Sequence, residues 1–142
     1  MKTAIVIGGG PAGLMAAEVL SAAGAQVDLF DAMPTVGRKF LLAGIGGLNL
    51  THSEPMPGFA TRYGAREAEV ASWLQDFGPD ATRAWAQSLG IATFVGSSGR
   101  VFPVGMKAAP LLRAWLRRLR HPANGPAVRF HTRHRWTGDA AP

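Results

Sequence analysis

The chain contains no cysteine, and this absence excludes several kinds of site. Its 142 residues can form no disulfide scaffold, Cys-based zinc site, cysteine nucleophile or CxxC redox pair. No stretch reaches the roughly 18 apolar residues that a membrane span needs. The apolar N-terminal segment is interrupted by Gly8-Gly9-Gly10-Pro11 and by Glu18, which does not fit a signal peptide. We therefore predict a soluble, cytoplasmic protein without a membrane partner.

Acidic residues are scarce in the last third of the chain. Residues 100–142 hold one Asp or Glu against nine Lys or Arg, whereas residues 1–99 hold eight against six. Such asymmetry is one mark of nucleic-acid contact, but the abundance of Arg, Ala, Gly and Pro is typical of GC-rich coding. We expect a solvated basic face in which His121, His131 and His134 have neither carboxylate partners nor metal spacing. A non-catalytic basic module that binds nucleic acid through residues 100–142 is the alternative.

The first 31 residues have the pattern of a strand, a helix and a second strand. Thr3 to Ile7 is a short apolar run rich in β-branched residues, which is typical of a buried parallel strand. Pro11 to Ala23 is predicted as a helix that Gly24 ends, and Gln26 to Phe30 as the next strand. This βαβ unit predicts an α/β fold with a parallel sheet.

The rest of the chain is predicted as a helical and hairpin excursion that returns to the sheet. Residues 32–63 show no clear period and are interpreted as a long functional loop or an irregular excursion. Later elements are predicted in this order: a helix over 66–77, a helix over 80–89 capped by Asp80, a hairpin of 93–95 and 100–104, a helix that starts at Pro110, and a strand over 128–136. Trp73, Trp85 and Trp115 lie on apolar helical faces, so all three are predicted in the core.

A GxGxxG pattern joins the first strand to the first helix. Gly8 allows a tight turn, Gly10 allows a pyrophosphate to approach the backbone, and Gly13 allows the helix to pack closely. Asp31 ends the second strand, where a carboxylate accepts hydrogen bonds from ribose hydroxyls. A dinucleotide site is predicted here. FAD and NAD both fit the pattern, and the cations Arg38 and Lys39 lie where they could meet the ribose or the two phosphates.

Three blocks carry a family resemblance that covers essentially the whole chain. They are GGGPAGLMAAEVL, DAMPTVGRKFLLAGIGGLNLTHSEP and GRVFPVGMKAAPLLRAWLRRL. They resemble the N-terminal part of a family of bacterial FAD-dependent oxidoreductases, classed as NAD(P)-linked and similar to BaiN and aminoacetone-oxidase-like enzymes. Many members carry Arg-Cys where this chain has Gly47-Leu48, so no role of that pair carries over.

The resemblance implies a Rossmann-like FAD domain of the glutathione-reductase type. It assigns the pyrophosphate to the glycine turn, residues 8–13, and the adenosine ribose to Asp31. It assigns the ribose and phosphate region of FAD to the GRK step, Gly37-Arg38-Lys39. The glycine-rich NLT block, with Asn49 and Thr51, would approach the flavin, and His52 beside it is either polar surface or close to the flavin. The implied cofactor-binding residues are Gly8, Gly10, Pro11, Ala12, Gly13, Asp31, Ala32, Arg38, Lys39, Asn49 and Thr51. No metal site and no catalytic residue is assigned.

On this basis the chain is expected to be the FAD-binding portion of a flavin-dependent oxidoreductase. NAD(P)H is a possible electron donor, and the small-molecule substrate is unknown. We expect an incomplete, apparently truncated FAD/NAD(P)-binding domain over 1–142 that lacks a substrate domain and a complete active site of its own. Its parts would be the fingerprint (1–31), a flavin-side loop (32–63), helices and a hairpin (64–107), and a helix with the third strand (108–142). An inert gene remnant is a further alternative.

Overall fold

The N-terminal strand–helix–strand unit forms as the pattern predicts. A computed structural model of the chain describes residues 1–138 and places β1 at Thr3–Ile7, α1 at Pro11–Ala22 and β2 at Gln26–Phe30. The strands pair in parallel, with Thr3 opposite Gln26 and Ile7 opposite Phe30. Gly24 follows the helix with φ +87°, a left-handed conformation that glycine adopts without strain.

The third strand of this sheet comes from the end of the described chain. β6, Arg129–His131, pairs in parallel with β2, so the strand order is β1-β2-β6. The sheet confirms the predicted α/β fold with a parallel sheet. The strand over 128–136 was predicted too long, because after His131 the backbone N–H groups of Arg133 and His134 bond instead to the loop that follows β2. Residues 139–142, the end of the expected domain, lie outside the described residues.

The described chain divides into two compact units. The first holds Met1–Leu42 and the chain from Leu112 onward, and the second holds Ala43–Leu111. Two helices cross the division: α2, Arg38–Ala43, and α6, Ala108–Arg120, which begins two residues before the predicted Pro110. The buried apolar side chains of the first unit include Leu14, Ala17, Val27, Leu29, Leu112, Trp115, Leu119 and Val128.

The second unit contains a small antiparallel sheet and three helices. β4, Thr93–Val95, and β5, Arg100–Pro103, form the predicted hairpin, and β3, Thr51–His52, pairs with the other edge of β5. The helices are α3 (Gly58–Thr61), α4 (Glu67–Asp76) and α5 (Pro79–Ser88), with a 3₁₀ turn at Gly64–Arg66. Residues 32–63 are therefore not one loop, because they contain α2, β3 and α3.

Two predictions about these helices were wrong. Asp80 does not cap α5, because Gly78 is the N-cap residue and Pro79 occupies the first turn. The apolar stripe of α4 is not core: α4 buries none of its side chains, and Trp73 is 66% exposed. Trp115 is 2% exposed, as predicted, and Trp85 is half-buried.

Candidate dinucleotide-binding site

The glycine turn lies between the carboxyl end of β1 and the start of α1. Gly8 has φ +101°, and its N–H donates to the Phe30 carbonyl over 2.8 Å. A Cβ added to Gly13 would lie 1.8 Å from the Gly8 carbonyl oxygen. A side chain at Gly13 is thus incompatible with the observed packing of α1 on the turn, which is the role that the pattern predicts for this glycine.

The first turn of α1 is open to a ligand. Gly10 is the N-cap residue, no side chain caps the helix, and Pro11 fills a first-turn position where it removes one unpaired donor. A Cβ added to Gly10 would meet no atom within 4 Å. The remaining N–H groups of a first helical turn have no partner within the helix, and the positive end of the helix dipole lies there. The turn therefore fits an anion such as a pyrophosphate.

Asp31 follows β2, and both of its carboxylate oxygens accept backbone hydrogen bonds. The Gly9 N–H donates to Oδ2 and the Met33 N–H to Oδ1, each over 2.7 Å. A carboxylate oxygen has two lone pairs, so each still has one that can accept a hydroxyl proton. The carboxylate is consequently oriented by the backbone and remains able to accept from a ribose.

The glycine turn, Asp31 and the GRK step border one cleft of about 290 Å³. It is lined by Gly8, Gly9, Gly10, Asp31, Met33, Thr35, Gly37, Arg38 and Lys39. Arg38 and Lys39 are exposed, and neither forms an ion pair with any residue of 1–138. Five predicted site residues thus line a single cleft: Gly8, Gly10, Asp31, Arg38 and Lys39. Ala12 and Ala32 are exposed next to it, although they do not line it.

Sequence reasoning missed four residues of this cleft: Gly9, Met33, Thr35 and Gly37. Gly9 occupies a variable position of the GxGxxG pattern, so nothing local distinguishes it. Gly37 has φ +74°, and its N–H donates to the Gly9 carbonyl over 2.8 Å. Of these four residues, Gly37 alone had a usable sequence signal, because it directly precedes the two predicted cations. Glycine is the residue that forms a left-handed turn without strain.

Asn49 and Thr51 lie in the second unit, on the segment that leads into β3. The Leu48 N–H donates to the Met106 carbonyl and the Leu50 N–H to the Val101 carbonyl, over 2.8 and 2.9 Å. The backbone of this segment is therefore held along β5. Neither the Asn49 amide nor the Thr51 hydroxyl makes a hydrogen bond with any residue of 1–138, so both side chains are free to bind a ligand.

His52 has a structural environment that uses both ring nitrogens. Nδ1 accepts from the Glu54 N–H over 3.0 Å, and Nε2 lies 3.1 Å from the Ser98 carbonyl oxygen. Since a carbonyl only accepts, these contacts require the neutral ring with its proton on Nε2. His52 ties β3 to the tip of the β4–β5 hairpin, which favours the structural interpretation over a role at the flavin.

The basic residues of β6 are partly neutralised within the first unit. Arg129 bonds to both oxygens of Asp28, through Nε over 2.8 Å and Nη2 over 2.5 Å, and His131 Nε2 lies 2.7 Å from Oδ1. These hydrogen bonds, that from Arg129 first, lower the pKa of Asp28 to about 2. The expectation that His131 lacks a carboxylate partner was wrong, because the parallel register of β2 and β6 brings Asp28 beside it.

Within 1–138 there is no group of three or more His, Asp or Glu side chains that could hold a metal ion. No helix in that part of the chain is long and apolar enough to cross a membrane.

The family comparison agrees with this geometry. The profile of the family described as the HI0933-like protein Rossmann domain matches residues 2–140. Among solved structures, the chain is similar to THI4 from Thermovibrio ammonificans, with 16% identity and a TM-score of 0.49 over 92% of this chain. That similarity covers 38% of the other chain, so this chain spans well under half of its length. No curated protein matches. The family match gives no support to the alternative of a basic nucleic-acid-binding module.

Proposed function

Because the chain belongs to the HI0933-like Rossmann domain family, a family of FAD-dependent oxidoreductases, we propose that it binds FAD at the cleft of the glycine turn. The observation that carries the proposal is the convergence on one cleft of a helix start without a side-chain cap, an oriented carboxylate and two cations that form no ion pair with any residue of 1–138. The open space at Gly10 shows that the cleft admits a group close to the backbone. The residues present therefore fit a dinucleotide.

Each part of the dinucleotide has a proposed partner in this chain. The pyrophosphate is assigned to Gly8, Gly10, Pro11, Ala12 and Gly13 at the start of α1. Asp31, with Ala32 beside it, holds the adenosine ribose, and Arg38 and Lys39 neutralise phosphate charge. For Asn49 and Thr51 the proposal of a flavin-side role rests on the family resemblance and on their free side chains.

The chemistry proposed for the whole protein is a flavin-dependent oxidation or reduction of a small molecule in the cytoplasm. When bound, FAD supplies the redox chemistry, and the protein contributes binding and orientation. Since the chain has no cysteine, it cannot pass electrons through a flavin–disulfide relay of its own. NAD(P)H is proposed as the electron donor, and the proposal does not name a substrate.

A titration with FAD tests this proposal. Purified chain is stripped of nucleotide, FAD is added, and binding is followed by the flavin absorbance near 450 nm and by flavin fluorescence. Saturable binding of one FAD per chain is expected. Colourless protein that FAD cannot saturate would contradict the proposal.

A charge-matched pair of variants shows whether binding uses the cleft. Lys39→Gln removes a cation that lines the cleft, and Arg113→Gln removes an exposed cation of α6 that does not line it. Exposed ion pairs contribute about 0.2–1 kcal/mol, so Lys39→Gln is expected to weaken FAD binding by about 1.4- to 5-fold. Arg113→Gln is expected to leave the Kd unchanged. An equal loss in both variants would indicate binding to general positive charge.

A further inference from the structure

Gly9, the glycine between the first two of the GxGxxG pattern, is held by hydrogen bonds at both of its backbone polar groups. Its N–H donates to Asp31 Oδ2 over 2.7 Å, and its carbonyl accepts from the Gly37 N–H over 2.8 Å. Gly9 is buried, whereas its neighbours Gly8 and Gly10 are half-buried. The segment after β2 thus fixes the middle of the glycine turn from outside the turn itself.

The same segment leaves no room for a side chain at Gly9. An added Cβ would lie 2.4 Å from Val36 Cγ1, 2.7 Å from Val36 Cβ and 2.9 Å from Asp31 Oδ2. Val36 is 6% exposed, so its side chain is packed against the protein over nearly all of its surface. At Gly10, one residue later, the added Cβ meets nothing within 4 Å, and φ is −79°. Two adjacent glycines therefore have different reasons to lack a side chain.

We propose that Gly9 and Val36 are a positioning pair: their close contact, with the two hydrogen bonds to the Gly9 peptide, holds the glycine turn in its binding shape before any ligand arrives. The claim about affinity rests on the proposed FAD binding, whereas the claim about turn order does not. A turn that is already ordered loses less conformational entropy on binding, so loosening it weakens affinity without removing any ligand contact. A side chain at Gly10 would instead weaken binding by occupying the space of the ligand itself.

Amide hydrogen exchange in the ligand-free chain tests the claim about turn order. The amides of residues 9, 33 and 37 are followed by NMR in the wild type, Gly9→Ala, Gly10→Ala and the double variant Gly9→Ala with Val36→Gly. Gly9→Ala is expected to raise exchange at these amides about tenfold or more, because their hydrogen bonds open more often. Gly10→Ala is expected to exchange like the wild type. The double variant removes both Val36 atoms nearest the new methyl group and is expected to exchange more slowly than Gly9→Ala alone.

Three results would overturn the positioning pair. These are an exchange rate in Gly9→Ala within twofold of the wild type, an equal rise in Gly10→Ala, or no slowing in the double variant. If Gly9→Ala does not fold, Asp31→Asn takes its place, because it adds no bulk. In Asp31→Asn, a side-chain NH₂ group replaces one of the two accepting oxygens. Either the Gly9 N–H or the Met33 N–H therefore loses its acceptor. Faster exchange at one of those two amides supports the proposal, and unchanged exchange at both contradicts it.

FAD titration of the same variants separates this inference from the proposed function. If the wild type binds FAD, Gly9→Ala is expected to weaken the Kd about tenfold, with partial recovery in the double variant. An unchanged Kd in Gly9→Ala would overturn the positioning role while the proposed function stands. If the wild type does not bind FAD, the proposed function fails, and the exchange rates of the ligand-free chain still decide whether the pair orders the turn.

Discussion

Asp28 is the residue whose charge is most clearly perturbed by the fold. The hydrogen bonds from Arg129 and His131 hold its pKa at about 2, below the unfolded value of about 4. A carboxyl group whose folded pKa is depressed stabilises the protein at pH values above its unfolded pKa, and this stabilisation is lost as the pH falls through the folded pKa. Asp28→Asn is therefore expected to be less stable than the wild type at pH 7. The deficit should shrink between about pH 4 and about pH 2. Denaturant unfolding of both proteins across this range measures it, and a constant deficit would contradict the assignment.

Replacing His52 is expected to lower the stability of the second unit. His52→Ala removes one hydrogen bond to the hairpin tip at Ser98 and one local hydrogen bond from the Glu54 N–H, which is expected to lower the free energy of unfolding by about 1–2 kcal/mol. His121→Ala is the matched control, because the His121 side chain is exposed and its ring makes no hydrogen bond with any residue of 1–138. Its effect is expected to stay within about 0.5 kcal/mol. Equal losses in urea unfolding would show that the His52 contacts add nothing.

Single residues also show what the sequence could predict of the site. Gly8, Gly10, Gly13 and Asp31 were found from local spacing, because each acts through the turn, the helix start or the strand end next to it. The role of Gly9 depends on Val36, and the partner of His131 is Asp28, far away along the chain. Contacts of that kind exist only once strand register and loop path are known, so spacing does not reveal them.

At the scale of elements, α4 and α6 have similar apolar stripes and opposite environments. Trp115 of α6 is buried, donates from Nε1 to Glu18 Oε2 over 2.6 Å and lies edge-on to Phe40. Trp73 of α4 is two-thirds exposed. Helical periodicity shows which residues share a face, but not whether another element covers that face. The existence of β1, α1, β2 and the hairpin depends on local pattern and was predicted correctly. The core role of α4 depends on a covering element, and that prediction was wrong.

The two tryptophans give a direct test of that contrast. Trp115→Ala leaves a cavity in the first unit and removes the hydrogen bond from the indole N–H to Glu18, and is expected to lower the free energy of unfolding by about 3–5 kcal/mol. Trp73→Ala removes an exposed ring, and its effect is expected to stay within about 0.5 kcal/mol. Thermal and urea unfolding of the two variants measure both values. A large loss in Trp73→Ala would mean that another surface covers α4 in solution.

In the whole molecule, the cleft proposed for the dinucleotide lies entirely within the first unit. Its parallel sheet brings the ends of β1 and β2 together, and their two following turns enclose the cleft that we assign to the dinucleotide. The cleft needs no residue from Ala43–Leu111. Binding of the adenosine and pyrophosphate portion is therefore expected to be a property of the residues around the glycine turn.

Chemical-shift mapping of the chain during FAD titration tests this claim most directly. If FAD binds in this cleft, backbone amide signals are expected to shift in a saturable way at residues 8–13 and 31–39. The signals of the β4–β5 hairpin tip and of the exposed arginines of α6 are expected to stay unchanged at the same early points of the titration. Shifts confined to the α6 arginines, or no saturable shifts at residues 8–13 and 31–39, would contradict the assignment of the cleft to FAD.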